Sequence, residues 1–231
     1  MRFIEPGFEI ISEDFTRDIV LSRIEKAART CYKSEDKITE GSAEWLVKSL
    51  IKSGHEAMIE HAPNLSVRFI CDRGVTHELV RHRLFSFAQE STRYVNYSNK
   101  GMQFIIPEWI TGEDRECMLN NEFNYLTNLE ELLNNIPDMV FADSCIYAET
   151  VYCNLIENGW KPQQARAVLP NCIKTEIVVT GNVREWRNFF KLRLDSAAHP
   201  QMRELAVPLF KKLYADIPEI WGDIASEFNI E

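Results

Sequence analysis

The sequence contains no Cys-x-x-Cys pair: its six cysteines, at 31, 71, 117, 145, 153 and 172, are scattered. That spacing argues against a zinc ribbon and against a disulfide framework. Cys145 and Cys153 fall on a helix-patterned stretch and read as small packing residues. Also missing are G-x-G-x-x-G, a Walker A loop, G-x-S-x-G and H-E-x-x-H. Any phosphate bound here must be held by side chains rather than by a glycine-rich loop. No stretch approaches the roughly 20 apolar residues of a membrane span. The opening MRFIEPGFEIISEDF lacks the long apolar core of a secretory signal. The expected location is therefore cytoplasmic, with no membrane partner. With no repeat and no Gly/Ser linker, the 231 residues read as one domain, 1–231.

Positive charge is scarce as well, 26 Lys and Arg against 35 Asp and Glu for a net charge of −9. This excludes the broad basic surface a nucleic acid needs. Against that background residues 81–93, RHRLFSFAQESTR, form a compact basic and hydroxyl-rich cluster. A local cationic pocket in an acidic chain suits small anions, because a cleft focuses a field the rest of the surface does not share. The helical pattern of 74–83 would place RHR at a helix end. Successive residues there fan out by about 100°, so Arg81 and Arg83 would point nearly opposite ways. They would serve two ligands, or a ligand and a neighbouring subunit, or merely complement the helix dipole. If 89–93 is extended, Gln89, Ser91 and Arg93 share a face. An amide, a hydroxyl and a guanidinium there make a cradle for a phosphate monoester.

Periodicity predicts a strand at 8–12, helices at 16–30 and 42–53 with Ser42 as cap and Gly54 beyond the end, and a half-buried strand at 64–72. Between 112 and 158 it predicts two helices broken near Ile136-Pro137. Pro162 opens a short helix that Pro170 stops. CIKTEIVVT at 172–180 is the clearest strand, Gly181-Asn182 turns the chain into a helix at 183–193, and a last helical region starts near Pro200. Few, widely separated strands with helices between them indicate the α+β class.

In NVREWRNFFKLR, the residues Arg184, Arg187, Asn188 and Lys191 fall on one stripe, whereas Arg193 falls with Trp186 and Phe189 on the apolar side. An arginine so placed needs an anion, a salt bridge such as one to Asp195, or an escape to solvent. Arg166, in QQARAVLP, poses the same question. Of the histidines, 55 and 61 in HEAMIEH match no common zinc spacing, so no metal site is assigned, although a metal-dependent hydrolase built on them is one alternative function.

Four ordered segments, GHEAMIEH, RHR followed after seven residues by serine in STRY, QARAVLP and NVREWRNFFKLR with a later Asp and His, span residues 54 to 199. Together they resemble the flavin-dependent thymidylate synthase family. The resemblance implies reductive methylation of dUMP to dTMP, with methylenetetrahydrofolate as carbon donor and NADPH-reduced FAD as hydride source. It also implies a central, mostly antiparallel sheet flanked by helices, a helical lobe, and a homotetramer with shared sites. Every reactant is an anion, which accounts for the basic cluster.

Carried over residue by residue, the resemblance implies dUMP contacts at Glu78, Arg81, Glu90, Ser91, Thr92, Arg93, Arg166 and Arg193. Arg93 would meet the phosphate, and Arg193 would act catalytically at the pyrimidine. FAD contacts would come from His55, Arg81, His82, Arg83, Gln89, Asn182, Arg184, Asn188 and His199. Ser91 reads as a positioning hydroxyl, because no base adjoins it. The chain departs from the family pattern at Ala57, where Ser or Thr is usual, at Glu78, often Gln, and at Ala88-Gln89, commonly Asn-Glu. Its Asp-to-His spacing before His199 is also one residue longer. A catalytically inactive nucleotide- or flavin-binding protein of the same fold is the other alternative.

Overall fold

The computed structural model describes residues 1–99, 101–122 and 137–230. Its strands are β1 (Arg2–Ile4), β2 (Gly7–Ile10), β3 (Leu65–Asp72), β4 (Ser86–Gln89), β5 (Gln103–Ile105) and β6 (Lys174–Gly181). Its α-helices are α1 (Arg17–Tyr32), α2 (Ser42–Lys52), α3 (Arg73–Leu79), α4 (Gly112–Asn120), α5 (Pro137–Glu157), α6 (Pro162–Ala165), α7 (Val183–Arg193), α8 (Pro200–Asp216) and α9 (Pro218–Phe228). A 3-10 segment, Glu56–His61, precedes β3. The fold mixes helix and sheet, with an antiparallel four-stranded sheet in the order β2-β3-β6-β4. The chain separates into two compact units.

The first unit comprises Met1–Gly7, Ile70–Leu79 and Ala88–Ile177. Here β1 and β5 pair in parallel, with Phe3 opposite Phe104, a two-stranded element that short runs of three residues left unmarked in the sequence. The core gathers Phe3, Phe104, Met118, Cys145 and Tyr152. Helix α5 starts at Pro137, where a proline was expected to break the helical pair; residues 123–136 of that pair lie outside the described residues. Cys145 is buried, as its packing role predicts, with its sulfur 3.5 Å from that of Cys172.

The second unit comprises Phe8–Phe69, Val80–Phe87 and Val178–Glu231. Helix α7 occupies the predicted span because Asn182, in extended conformation, caps it: its Oδ1 accepts from the Glu185 amide at 2.9 Å. Such a cap is worth about 1 kcal/mol. The buried face of α7 carries Val183, Trp186, Phe189 and Phe190. Trp186 stacks obliquely on Phe85 at 4.7 Å, and Phe190 meets Phe210 and Trp221 edge-on at 5.1 and 5.5 Å. The Trp186 indole N–H donates to the Leu65 carbonyl at 3.0 Å, so the ring is buried without an orphaned donor. Ser42 is the first residue of α2 and not its cap. Gly41 holds that position with φ +76°, and the Ser42 hydroxyl donates instead to Glu25 at 2.7 Å.

Two local expectations are corrected. Helix α3 ends at Leu79, so Arg81, His82 and Arg83 lie in the turns leading to β4 and not on a helix. Helical geometry therefore does not splay Arg81 from Arg83. Strand β4 ends at Gln89, and residues 91–94 fold into a turn in which the Val95 and Tyr94 amides both reach back to the Ser91 carbonyl, at 3.0 and 3.2 Å. Strand alternation therefore does not put Gln89, Ser91 and Arg93 on one face.

Gly181, at the end of β6, is where the backbone meets the aromatic cluster most closely. A Cβ added there would stand 2.2 Å from Phe85 Cδ1. Phe85 is itself wedged among Trp186, Phe189 and His82 and cannot turn aside. Gly181→Ala is expected to destabilise the protein by about 1–3 kcal/mol, measured as a fall in the denaturant midpoint at unchanged slope.

Candidate active site

The expected site residues divide between the two units. Glu78, Gln89, Glu90, Ser91, Thr92, Arg93 and Arg166 belong to the first; His55, Arg81, His82, Arg83, Asn182, Arg184, Asn188, Arg193 and His199 belong to the second.

In the first unit, the turn after β4 carries Ser91, Thr92 and Arg93 and meets Arg166. Thr92 is buried, and its hydroxyl accepts from Arg166 Nη1 at 3.4 Å. Ser91 Oγ accepts from the Arg93 amide at 3.3 Å, and the exposed Arg93 guanidinium lies 5.4 Å from the Tyr94 ring. Glu90 accepts from the Tyr97 hydroxyl at 2.9 Å and from Lys174 Nζ at 3.1 Å. Burial, then the Glu90 carboxylate, pushes the Tyr97 hydroxyl well above the usual phenol range, so it stays protonated and donates. Burial works against the Lys174 charge, but Glu176 at 2.6 Å and Glu90 more than offset it and raise its pKa. Gln89 turns its amide nitrogen inward, to the hydroxyls of Thr76 and Thr175 at 3.1 and 3.3 Å. Glu78 sits in the last turn of α3.

In the second unit, His82 is buried and Arg193 half-buried, and Arg193 Nε donates to His82 Nε2 at 3.1 Å. Burial, then the Arg193 charge, lowers the His82 pKa from 6.5 to about 4. The imidazole is thus neutral, and with Nε2 accepting, its one proton sits on Nδ1. That nitrogen faces Glu185 Oε1 at 3.7 Å, whose carboxyl pKa burial raises. The Nε–H bond to the imidazole is one of the contacts that orient Arg193. Asp195, considered as a partner for Arg193, accepts instead from the Ala197 amide.

A cavity of about 640 Å³ is lined by Asn182, Arg184, Asn188, Lys191, Glu56 and Glu60, among others. Arg184 Nη1 donates to Glu60 at 2.8 Å. His55 and Ala57 line a different, more apolar cavity of about 500 Å³ with Tyr32, Leu50 and Met58. His199 stands at the N-terminus of α8, exposed, and Arg81 and Arg83 are exposed in their turns.

Three residues that shape these clusters escaped the sequence reading. Lys174 shares the less buried face of β6 with Glu176, which strand alternation could have revealed. Glu185 was concealed by its place in a first helical turn, where acids are common. Arg187 is the third and requires a correction: it leaves the polar stripe and is 1% exposed. It falls four residues after Val183 and three before Phe190, which marks it as core-facing. Among the described residues, no group of three or more His, Cys, Asp or Glu is placed to hold a metal.

Comparison with known proteins decides the family. The family described as "Thymidylate synthase complementing protein" matches residues 19–219. The chain belongs to that family. It is 36% identical over 217 residues to the flavin-dependent thymidylate synthase of Corynebacterium efficiens, covering 88% of this chain and 79% of the relative. Identity to the protein of that name in Corynebacterium glutamicum is the same, over the same shares. A third relative of that name, from Mycobacterium sp. (strain JLS), is 34% identical over 211 residues, 87% of this chain and 78% of its own.

The donor set of the larger cavity fits part of a flavin dinucleotide in this family member. Arg184 and Lys191 would offer cations to phosphate oxygens, while Asn182 and Asn188 would offer amides. The carboxylates of Glu56 and Glu60 would offer acceptors to ribose hydroxyls.

A neutral His82 has a consequence for stability. Its folded pKa lies below the unfolded value, so between pH 6.5 and about 4 the unfolded chain binds the extra proton. The contribution is complete above pH 6.5 and declines as pH falls, by up to about 3 kcal/mol. Proton NMR is expected to show one imidazole, lost in His82→Asn, that stays neutral down to about pH 4. In His82→Asn the slope of stability against pH over this window should flatten.

Proposed function

We propose that this chain catalyses the reductive methylation of dUMP to dTMP, with methylenetetrahydrofolate as carbon donor and FAD, reduced by NADPH, as hydride source. The observation that carries this reading is the match over most of the chain to flavin-dependent thymidylate synthases, joined to a cluster of Ser91, Thr92, Arg93 and Arg166 chemically suited to a phosphate monoester. Arg93 and Arg166 bind the nucleotide phosphate, with Ser91 and Thr92 positioning it; Glu78, Arg81 and Glu90 complete the nucleotide contacts.

Arg193 is the catalytic residue. His82 takes its Nε–H and so fixes the guanidinium plane, letting the cation stabilise negative charge developing on the uracil ring. His82 itself cannot act as a proton donor near neutral pH, because it carries no second proton to give. His55, Arg81, His82, Arg83, Gln89, Asn182, Arg184, Asn188 and His199 hold the flavin. When bound, FAD supplies the hydride; the protein supplies orientation and charge.

Residues 1–231 act as one functional domain, in the cytoplasm, as a homotetramer whose sites combine several subunits. The exposure of Arg81, Arg83 and His199 in the single chain supports such sharing. No helix among the described residues is long and apolar enough to cross a membrane.

The direct test is an absorption spectrum of the protein with FAD, before and after NADPH, followed by dTMP analysis with dUMP and methylenetetrahydrofolate. A protein that takes up no flavin, or that releases no dTMP, overturns the proposal. Arg93→Ala is expected to weaken dUMP binding by about tenfold or more while leaving the flavin Kd within about threefold, since one charge-assisted contact is worth roughly 1.5–3 kcal/mol. Arg193→Lys should cut kcat by about tenfold or more, because a point charge replaces a planar fork.

A further inference from the structure

The second unit buries a guanidinium that the reaction above does not use. Arg187 donates twice to Asp223, Nη1 to Oδ1 at 2.8 Å and Nη2 to Oδ2 at 2.6 Å, and Nη1 also meets the Ile220 carbonyl. That fork already neutralises one charge with one carboxylate in bidentate geometry. Yet Nη2 also donates to a second carboxylate, Glu56 Oε1, at 3.2 Å. The other oxygen of Glu56 lies 3.8 Å from Arg184 Nε, so Glu56 stands between two guanidinium groups. Arg184 in turn is held by Glu60 at 2.8 Å and is 52% exposed at its side chain.

The wall of this cavity carries Arg184, Arg187 and Lys191 against Glu56, Glu60 and Glu185. Three cations face three carboxylates, so the cavity offers an anion no surplus of positive charge. A phosphate oxygen that takes Arg184 must compete with the carboxylates already there. We propose that Arg187 is a positioning residue of the flavin site: it holds Glu56 toward the core and leaves Arg184 with Glu60 as its chief competitor to the flavin diphosphate. The inference rests on the flavin reading above.

Without Arg187, Glu56 loses its buried partner. Its carboxylate has two cations in reach, one buried and one exposed. Removing the buried one hands the whole carboxylate to Arg184, which then bears two acids. Asp223, 46% exposed at its side chain, can turn to water instead. A purely structural Arg187 would change stability and nothing else. A positioning Arg187 changes anion affinity through Glu56.

The test uses the flavin-stripped full chain, with FAD titrated by fluorescence quenching and ADP as a competing diphosphate without the isoalloxazine. Thermal melting is measured alongside. Arg187→Met should weaken FAD and ADP by about threefold to fivefold, the scale of one partly solvated ion pair. Glu56→Gln alone should tighten both by about twofold or more, and the double variant should return to within about twofold of wild type. A double variant as weak as Arg187→Met, or an Arg187→Met with wild-type affinity, overturns the proposal and leaves Arg187 a stability residue. Should Arg187→Met fail to fold, Glu56→Gln decides alone: unchanged or weaker binding overturns it. A wild-type chain that binds ADP but no FAD, or neither, sinks the flavin reading instead.

Discussion

The second unit depends on one costly arrangement, a guanidinium taken almost wholly out of water. Moving a cation into the interior costs several kcal/mol unless its donors are matched. Burial does work against the Arg187 charge, yet Asp223 and Glu56 hold its pKa above the ordinary value. The acids that match it come from different parts of the chain, one from the segment before β3 and one from α9. Helix α7 is therefore held to both by charge as well as by Trp186, Phe189 and Phe190. Reciprocally, Arg187 keeps the Asp223 carboxyl below its usual range against the opposing effect of burial. Such a bond is directional, and with the edge-on aromatic contacts it sets the rotation of α7 about its axis. That rotation decides where Asn182, Arg184, Asn188 and Arg193 point.

The same logic of charges already partnered recurs in the first unit. Lys174 sits between Glu90 and Glu176, and Glu90 also accepts from Tyr97. An acidic chain gains selectivity this way. Cations engaged by carboxylates attract few stray anions, and a ligand must offer geometry good enough to compete. Arg93 differs in kind: exposed, near the Tyr94 ring, its backbone pinned through Ser91.

Local pattern carried most of the backbone. Gly181 and Asn182 announced the passage from strand to helix, and the cap that Asn182 makes is a short-range bond between residues three apart. The alternation of β3 and β6 was legible because one face of each strand is buried. The turn at 91–94 was not, since Ser, Thr and Arg serve a strand edge and a turn equally well, and the deciding bonds are backbone to backbone. For the site, residue types and order were legible as a family resemblance, but partners were not. His82 and Arg193 are 111 positions apart, and Arg187 and Glu56 are 131 apart. No periodicity reports a pairing at that separation. Only the core-facing phase of Arg187, shared with Val183 and Phe190, left a trace.

The imidazole of His82, packed edge-on against Phe189 at 5.1 Å, gives Arg193 a polar contact in an apolar setting. His82 accepts the Nε–H without bringing a countercharge, and burial keeps it neutral near physiological pH. The Glu185 carboxyl lies beyond the ring, 3.7 Å from its far nitrogen. At its Nε edge the guanidinium is thus oriented by an uncharged acceptor. Such a bond fixes that edge of the cation in place without adding negative charge there.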